Sequence, residues 1–204
     1  MGKQLKEYNI AIVGVGGQGI LTLGYIIGVA CTIAGRDVSI AEVHGMSQRG
    51  GSVIVHVRIG EKPSPIIPIG GADHILALEL IELARYVNYA RKGAIAVAND
   101  FVWPPPLSKY PSRDTIVNAL KNKDLKLYLL DANALSSKYT GSAISANIAL
   151  LGYALGVDSV LRELVPLTAV EKAMEEVFRG RTLEANLKLL HVAFEEGLKL
   201  GERG

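Results

Sequence analysis

The stretch Asn9–Gly19, with the sequence NIAIVGVGGQG, decides the fold of this chain. Residues 10–15 form a short apolar run rich in β-branched side chains, which is typical of a buried strand. Glycines stand at positions 14, 16, 17 and 19, and a glycine cluster directly after an apolar run marks a tight turn. The stretch therefore predicts a buried strand, a close turn and the start of a helix.

This turn is suited to close approach by another backbone or by an anion. Glycine adds no side-chain bulk, and the first amides of the following helix point outward with the positive end of the helix dipole behind them. Gly14, Gly16 and Gly19 also match the G-x-G-x-x-G dinucleotide fingerprint. Two interpretations stay open here: a ligand-binding loop, or a strand-to-helix turn that binds nothing.

The next two strands depart from the nucleotide-binding template. A helix is predicted over about residues 18–34, and strands over 37–43 and 52–59. Only the eight residues 44–51 separate these strands, whereas a parallel crossover needs a dozen or more residues. We therefore predict an antiparallel pair or a bend, which argues against a complete Rossmann half and against an NAD site.

Strands and helices continue to alternate along the rest of the chain. Further strands are predicted over 75–78, 94–99 and 126–130, and further helices over 79–90, 112–121, 131–139, 143–155, 166–178 and 182–200. This alternation predicts an α/β fold in three layers, with a mostly parallel sheet, at least one antiparallel strand, helices on both faces and a helical C-terminal tail. We expect a single domain over residues 1–204, with its core at about 9–156 and a helical extension at about 160–200.

Composition narrows the class of protein. The chain has 204 residues, of which 49% are hydrophobic and 21% charged, and its net charge is +2. This balance fits a globular α/β protein and does not make nucleic acid the default partner.

The single cysteine, Cys31, cannot by itself form an internal disulfide, hold an iron–sulfur cluster or build a cysteine-rich zinc site, so we expect a reducing, cytoplasmic location. We expect no signal peptide, because the N-terminus is too polar for one, and no membrane span, because the apolar stretch 20–34 is shorter than the ~20 residues that a span needs.

Candidate functional residues follow the strands whose carboxyl ends are expected to meet at one edge of the sheet, where open α/β sheets bind ligands. The loop 44–51, HGMSQRGG, supplies polar donors and glycines beside the first glycine turn. Arg49 is the best anion clamp, because its planar guanidinium binds carboxylate or phosphate in a bidentate manner. The candidate set, with His44 as the one possible acid or base, is Gly14, Gly16, Gly17, Gln18, Gly19, His44, Gly45, Met46, Ser47, Gln48, Arg49, Gly50, Gly51 and Asn99.

Structural roles are expected for most other polar residues. His56 alternates with valines on the third strand and is predicted to be packed, and Cys31 is predicted to be a small core residue. Asn147 lies in an apolar helix, where it needs a hydrogen-bond partner in the core. The histidines and Cys31 do not show a metal-ligand spacing, so no metal is predicted. A self-contained catalyst is not apparent, because neither cluster ligands nor an acid–base pair can be identified.

Two motifs taken together resemble a known family. GVGGQGI at residues 14–20 and EVHGMSQRGGS at residues 42–52 resemble the gamma-domain family of 2-oxoacid:ferredoxin oxidoreductases, and the second motif is most similar to its indolepyruvate branch. The resemblance implies a large partner subunit that holds thiamine diphosphate and the iron–sulfur clusters. It also implies a complex that decarboxylates an aryl pyruvate oxidatively, reduces ferredoxin and forms an aryl-acetyl-CoA.

The resemblance makes this chain the subunit without clusters, inactive alone and binding no cofactor by itself. In such a complex the gamma domain packs over the thiamine domains and helps to hold coenzyme A. Our hypothesis is that the amides of residues 16–19 and the side chain of Arg49 bind an anionic part of coenzyme A, or shape the active-site mouth across the interface. Two alternatives stay open: a stand-alone NAD(P)- or nucleotide-binding protein, and a purely structural assembly subunit.

Overall fold

The structure is a computed structural model that describes residues 7–45, 50–61, 64–104 and 109–201. Within these residues one sheet holds six strands in the order β2-β3-β1-β4-β5-β6. The strands are β1 Tyr8–Val15, β2 Val38–His44, β3 Ser52–Ile59, β4 Ala72–Ala77, β5 Ala90–Asn99 and β6 Leu125–Leu130. The α-helices are α1 Ile20–Ile33, α2 Leu80–Tyr86, α3 Arg113–Lys121, α4 Ala132–Thr140, α5 Ala146–Val157, α6 Ser159–Leu164, α7 Leu167–Val177 and α8 Gly180–Gly201.

The sheet is mixed, as the sequence predicted. β1, β4, β5 and β6 are parallel neighbours, whereas β3 runs antiparallel to both β1 and β2. The short connection between β2 and β3 therefore does make an antiparallel pair, in which Val38 lies opposite Ile59 and His44 opposite Val53. The predicted α/β fold with at least one antiparallel strand is confirmed.

Helices cover both faces of the sheet. One face packs against α1 and α5, on which α4, α7 and α8 pack in turn, and its core contains Ile10, Ile12 and Val55. The other face packs against α2 and α3, and its core contains Ala11 and Ile75. The alternation of Ile10, Ala11 and Ile12 between the two cores is the period of two that a strand imposes on its side chains.

The helices that follow residue 143 lie on the same side of the sheet as α1. All twelve residues of α5 are buried, because α5 is covered on one side by the sheet and on the other by α8. Residues that the sequence assigned to a helical extension thus contribute to the same apolar cluster as α1 and α5. None of the helices described is long and apolar enough to cross a bilayer.

The predicted boundaries differ from the structure in a few places. The helix α6 was missed, because Asp158 caps it directly after a long apolar run. Pro166 was predicted inside the first turn of its helix, but it occupies the N-cap position and α7 begins at Leu167. The strands β4 and β5 begin three and four residues earlier than predicted, at Ala72 and Ala90, because polar residues near their start hide the strand pattern.

A buried polar cluster closes the amino-terminal edge of the sheet. His74 Nδ1 lies 2.9 Å from Asp158 Oδ2, and the Tyr8 hydroxyl donates to the same oxygen. The other carboxylate oxygen accepts the amides of Val160 and Leu161 at 3.1 and 3.0 Å. Burial by itself raises the pKa of Asp158, but the hydrogen bonds from His74 and Tyr8 outweigh it and lower that pKa to about 2. The carboxylate therefore ties β1, β4 and the start of α6 together.

Glycines allow α5 and α8 to approach until their backbones touch. A Cβ atom on Gly152 would lie 2.3 Å from the Leu190 carbonyl oxygen, and one on Gly156 would lie 2.3 Å from that of Phe194. Gly197 makes the reciprocal approach, because its Cβ would lie 2.3 Å from the Tyr153 carbonyl oxygen. Any side chain at these positions would force the two helices apart.

We expect Gly156→Ala to lower the free energy of unfolding by about 2 kcal/mol or more. Alanine improves helix propensity by up to about 1 kcal/mol, but the new methyl group meets backbone atoms of α8, and overpacking costs about 1–3 kcal/mol or more. Denaturant unfolding of the purified chain measures the change. Gly45→Ala is the control, because a Cβ there meets nothing within 4 Å. Equal stability of the two variants would contradict the close packing of α5 on α8.

Candidate functional site

The carboxyl ends of five strands meet at one edge of the sheet. β1, β2, β4, β5 and β6 run in the same direction, and β3 begins at the edge where they end. The expectation that these carboxyl ends lie along one edge of the sheet is therefore confirmed. In an open α/β sheet this edge is where ligands and partners are bound.

The two glycine-rich loops touch each other at this edge. The Gly16 amide donates to the Gly51 carbonyl oxygen at 2.8 Å, and the Gly50 amide donates to the Gly16 carbonyl oxygen at 3.3 Å. These bonds continue the pairing of β1 with β3 beyond Val15 and Ser52. The backbone thus brings the end of the HGMSQRGG motif directly onto the first glycine turn. The candidate residues Met46, Ser47, Gln48 and Arg49 lie outside the described residues.

Gln18 is turned into the fold. Its Oε1 accepts the Val15 amide at 2.8 Å and its Nε2 donates to the Leu78 carbonyl oxygen at 3.3 Å. A Cβ on Gly14 would lie 2.8 Å from that Oε1, so glycine at position 14 makes room for the glutamine. The side chain therefore joins the end of β1 to the residue that follows β4.

Two backbone amides of the first turn already have hydrogen-bond partners within the protein. The Gly16 amide is bound to Gly51, and the Gln18 amide donates to the Val15 carbonyl oxygen at 3.1 Å. Gly17 is exposed, has a φ of +103° and has open space where a Cβ would stand. Close approach by another molecule is therefore easiest at Gly17.

Asn147 holds the start of α1 from the opposite side. Gly19 is the N-cap of that helix with a φ of 76°, and its carbonyl oxygen accepts the Asn147 side chain at 3.2 Å. The Asn147 Oδ1 accepts the Ile148 amide at 2.9 Å. The predicted core hydrogen bonding of Asn147 is confirmed, and its place beside the glycine turn is new.

The Asn99 side chain is buried and forms its hydrogen bonds within the protein. It is 1% exposed, and its Oδ1 accepts the Ala132 amide at 3.0 Å. Its Nδ2 lies 3.1 Å from Asn133 Oδ1 and 3.4 Å from the Leu78 carbonyl oxygen. Asn99 therefore fixes the ends of β4 and β5 against the start of α4.

His44 lies apart from the first glycine turn. It is the last residue of β2 and is exposed, with Nδ1 3.1 Å from the Gly45 carbonyl oxygen. Val53 of β3 lies between His44 and Gly14 in the register of the sheet. Two strand spacings of ~4.8 Å each separate these backbones by about 10 Å.

Glu79 is a buried residue at this edge that the sequence did not single out. It is 1% exposed, and burial raises the pKa of its carboxyl group. Its two oxygens accept the Glu82 amide at 2.8 Å and the Trp103 amide at 3.0 Å. Glu79 thus caps α2 and holds the loop after β5 against it. In the sequence, its position directly after an apolar strand is the feature that could have identified it.

Several exposed apolar side chains belong to the segments that follow the strands at this edge or begin the helices next to it. Trp103 follows β5 and is 52% exposed. Ile144, which lies in the short 3-10 turn before α5, is 85% exposed, and Leu21 in the first turn of α1 is 43% exposed. Large apolar side chains left in water at the edge where ligands bind are typical of a surface that another protein covers.

The remaining histidines and the cysteine have structural partners. His56 is buried, its Nδ1 accepts the Ile67 amide, and its ring contacts that of Tyr89 in a tilted arrangement. Burial and the nearby Arg58 lower its pKa. His191 Nε2 lies 2.7 Å from Glu171. Cys31 is buried, and burial raises the pKa of its thiol to about 12. The predicted packing of His56 and Cys31 is confirmed. Among the described residues no three metal-ligating side chains are grouped to hold an ion.

Residues 9–196 match the family model of the pyruvate ferredoxin/flavodoxin oxidoreductases. The chain belongs to this family. The resemblance inferred from the two glycine motifs is therefore confirmed, and the family assignment favours an oxidoreductase subunit over a stand-alone nucleotide-binding protein.

Individual relatives of this oxidoreductase family member are themselves subunits. The indolepyruvate oxidoreductase subunit IorB of Archaeoglobus fulgidus is 37% identical over 93% of this chain and 95% of its own. The subunit of the same name in Pyrococcus horikoshii is 39% identical over 84% of this chain and 91% of its own. The crystal structure of a keto/oxoacid ferredoxin oxidoreductase gamma subunit from Geobacter sulfurreducens superposes with a TM-score of 0.71 at 25% identity, covering 94% of this chain and 99% of that one.

We expect Gly19→Ala and Asn147→Ala to be non-additive. The new methyl group at position 19 would lie 2.5 Å from Asn147 Nδ2, and a φ of 76° is itself strained for alanine by about 1–3 kcal/mol. Removing the Asn147 amide relieves the collision and leaves only the backbone strain. The double variant should therefore be more stable than the sum of the two single changes predicts, by about 1 kcal/mol or more.

Denaturant unfolding of the four proteins in this cycle measures the coupling energy. Asn147→Ala alone should cost about 1 kcal/mol, the usual contribution of one hydrogen bond. Strictly additive changes would mean that Asn147 does not contact the turn at Gly19.

Proposed function

We propose that this chain is the subunit without clusters of an indolepyruvate-type 2-oxoacid:ferredoxin oxidoreductase. In that role it supports the oxidative decarboxylation of aryl pyruvates to aryl-acetyl-CoA with reduction of ferredoxin. The observation that carries the proposal is the near full-length similarity to two IorB subunits, together with the HGMSQRGG motif at residues 44–51.

We propose that thiamine diphosphate and the iron–sulfur clusters belong to a large partner subunit. Cluster iron is held by several cysteine thiolates, and this chain has one cysteine whose thiol is buried and hard to ionise. The residues of this chain therefore do not fit a cluster. A lone reduced cysteine also fits the cytoplasm, where we propose that the complex works and passes its electrons to ferredoxin.

We propose that the carboxyl-terminal edge of the sheet is the surface that meets the large subunit. Polar side chains that face inward there, such as Gln18 and Asn99, hold the loops in place. The exposed side chains of Leu21, Trp103 and Ile144 supply the apolar area that a stable protein interface needs. This combination of fixed loops and exposed apolar area supports the proposal that the two subunits together form the binding site.

We propose that the loop 44–51 contributes to coenzyme A binding, with Arg49 as the anion clamp. The support is the pairing of Gly50 and Gly51 with Gly16, which brings the residues next to Arg49 in the chain onto the first glycine turn. The exposed Gly17 leaves room for an anionic group at the start of α1. The competing proposal, a subunit that serves only assembly, assigns both loops to contacts with the partner.

Reconstitution with the large subunit tests the assignment. The mixture should reduce ferredoxin when an aryl pyruvate and coenzyme A are supplied, and each chain alone should give no reaction above background. Ferredoxin reduction followed by absorbance is the measurement, with mass analysis of the complex as the control for assembly. A lone chain that is stabilised against heat by NAD or NADP, and that does not bind the large subunit, would contradict the proposal.

Arg49→Ala tests the coenzyme A contact within the assembled complex. Loss of a charge-assisted hydrogen bond of about 1.5–3 kcal/mol should raise KM for coenzyme A by at least about tenfold, with little change in kcat. Arg181→Ala, an exposed arginine on α8, is the matched control and should leave KM unchanged. Unchanged KM, turnover and assembly in Arg49→Ala would remove Arg49 from the site. Loss of assembly alone would favour the purely structural subunit.

A further inference from the structure

The strand β2 lies at the edge of the sheet with one side unpaired among the described residues. It stands first in the strand order and pairs with β3. Ile40 and Val43, on opposite faces of β2, are 38% and 48% exposed. A long edge strand with exposed apolar side chains is a template for pairing with another strand unless something blocks it.

The backbone groups of alternate residues in β2 point to the open side. The Gly60 amide donates to the Asp37 carbonyl oxygen at 2.9 Å, in register with the pairing of Val38 with Ile59. In an antiparallel pair, residues that exchange hydrogen bonds with one neighbour alternate with residues whose N–H and C=O face away from it. The backbones of Val38, Ile40 and Glu42 therefore face the open edge.

A groove runs beside this edge on the α1 face of the sheet. It encloses about 530 Å³ between α1, β2 and α7. The Ile40 side chain reaches into it, because its Cδ1 atom would lie 2.4 Å from a Cβ on Gly28. Tyr25 closes the far side, where its hydroxyl donates to Glu176 at 2.8 Å. A strand added to β2 would direct every second side chain to the face of the sheet on which this groove lies.

We infer that β2 pairs antiparallel with β2 of a second copy of this chain, about a two-fold axis at Ile40. The two Ile40 backbones then exchange N–H···O=C hydrogen bonds, and the two sheets become one continuous sheet. A two-fold axis perpendicular to the sheet keeps both grooves on the same face, side by side across the junction. The same patch serves both copies, as a two-fold interface requires.

The charges of Glu42 and of Arg36, which lies just before β2, favour this register over the one centred on Ala41. With the axis at Ile40, Glu42 lies opposite Val38 of the other copy and diagonal to its Arg36, so opposite charges approach twice across the interface. With the axis at Ala41, Glu42 instead lies diagonal to Glu42 of the other copy, and like charges approach. Cross-strand neighbours of opposite charge stabilise a pair of strands and like charges destabilise it. Arg36 and Glu42 are both exposed, so they are available to the second copy.

Sedimentation equilibrium of the full chain at several concentrations tests the inference. The natural chain should be a dimer. Arg36→Glu and Glu42→Arg should each weaken the dimer roughly tenfold, because each change turns two attractive pairs into repulsive ones. The double variant Arg36→Glu/Glu42→Arg restores opposite charges and should recover the natural dissociation constant.

Ile40→Lys should give a monomer, since it places two ammonium groups at the axis. Ile69→Lys is its control, because Ile69 is 67% exposed and lies in the connection before β4, and it should leave the dimer intact. If Ile40→Lys does not fold, Arg36→Glu and Glu42→Arg still test the inference, because they change only exposed residues.

Several results would overturn the inference. They are a natural chain that stays monomeric, a dimer that survives Ile40→Lys, and a double variant no tighter than its parents. A monomeric chain whose β2 amides become protected from hydrogen exchange only in the reconstituted complex would likewise overturn it, and would assign the edge to a strand of the partner subunit.

Discussion

The position of β3 between β1 and β2, antiparallel to both, is the constraint on which the rest of the structure depends. It makes the loop after β2 return at the edge where β1 ends, so that Gly50 and Gly51 can bond to Gly16. A helical crossover at this point would separate the two glycine motifs and build a dinucleotide site instead. The same arrangement leaves β2 as the outermost strand, with half of its backbone groups directed away from the sheet.

Buried polar side chains at the carboxyl-terminal edge form hydrogen bonds within the protein. Gln18, Asn99 and Glu79 each join segments that are distant in sequence, through hydrogen bonds to backbone groups. Among the described residues, this edge also presents the bare backbone of Gly17 and several large apolar side chains outward. That division fits the proposed role, in which the surface of this subunit completes the site of another chain.

Much of the fold can be predicted from local patterns. The strand and turn at residues 9–19 follow from apolar residues and glycines, and the antiparallel pairing of β2 with β3 follows from the short connection between them. The directions of polar side chains cannot be predicted in this way. Gln18 bonds to Leu78 and Glu79 to the amide of Trp103, so each direction depends on a segment that only the tertiary fold brings near. The contribution of Arg49 stays a prediction, because that residue lies outside the described part of the chain.

The glycine contacts between α5 and α8 bear on how the chain folds during synthesis. Every side chain of α5 is buried, and residues 180–201 supply one wall of its surroundings. A nascent polypeptide that has not yet produced that wall carries an uncovered, strongly apolar helix, and such intermediates are prone to aggregate. Almost all of the domain must therefore leave the ribosome before α8 can pack on α5. Until then, chaperones that bind apolar segments are expected to protect α5 from aggregation.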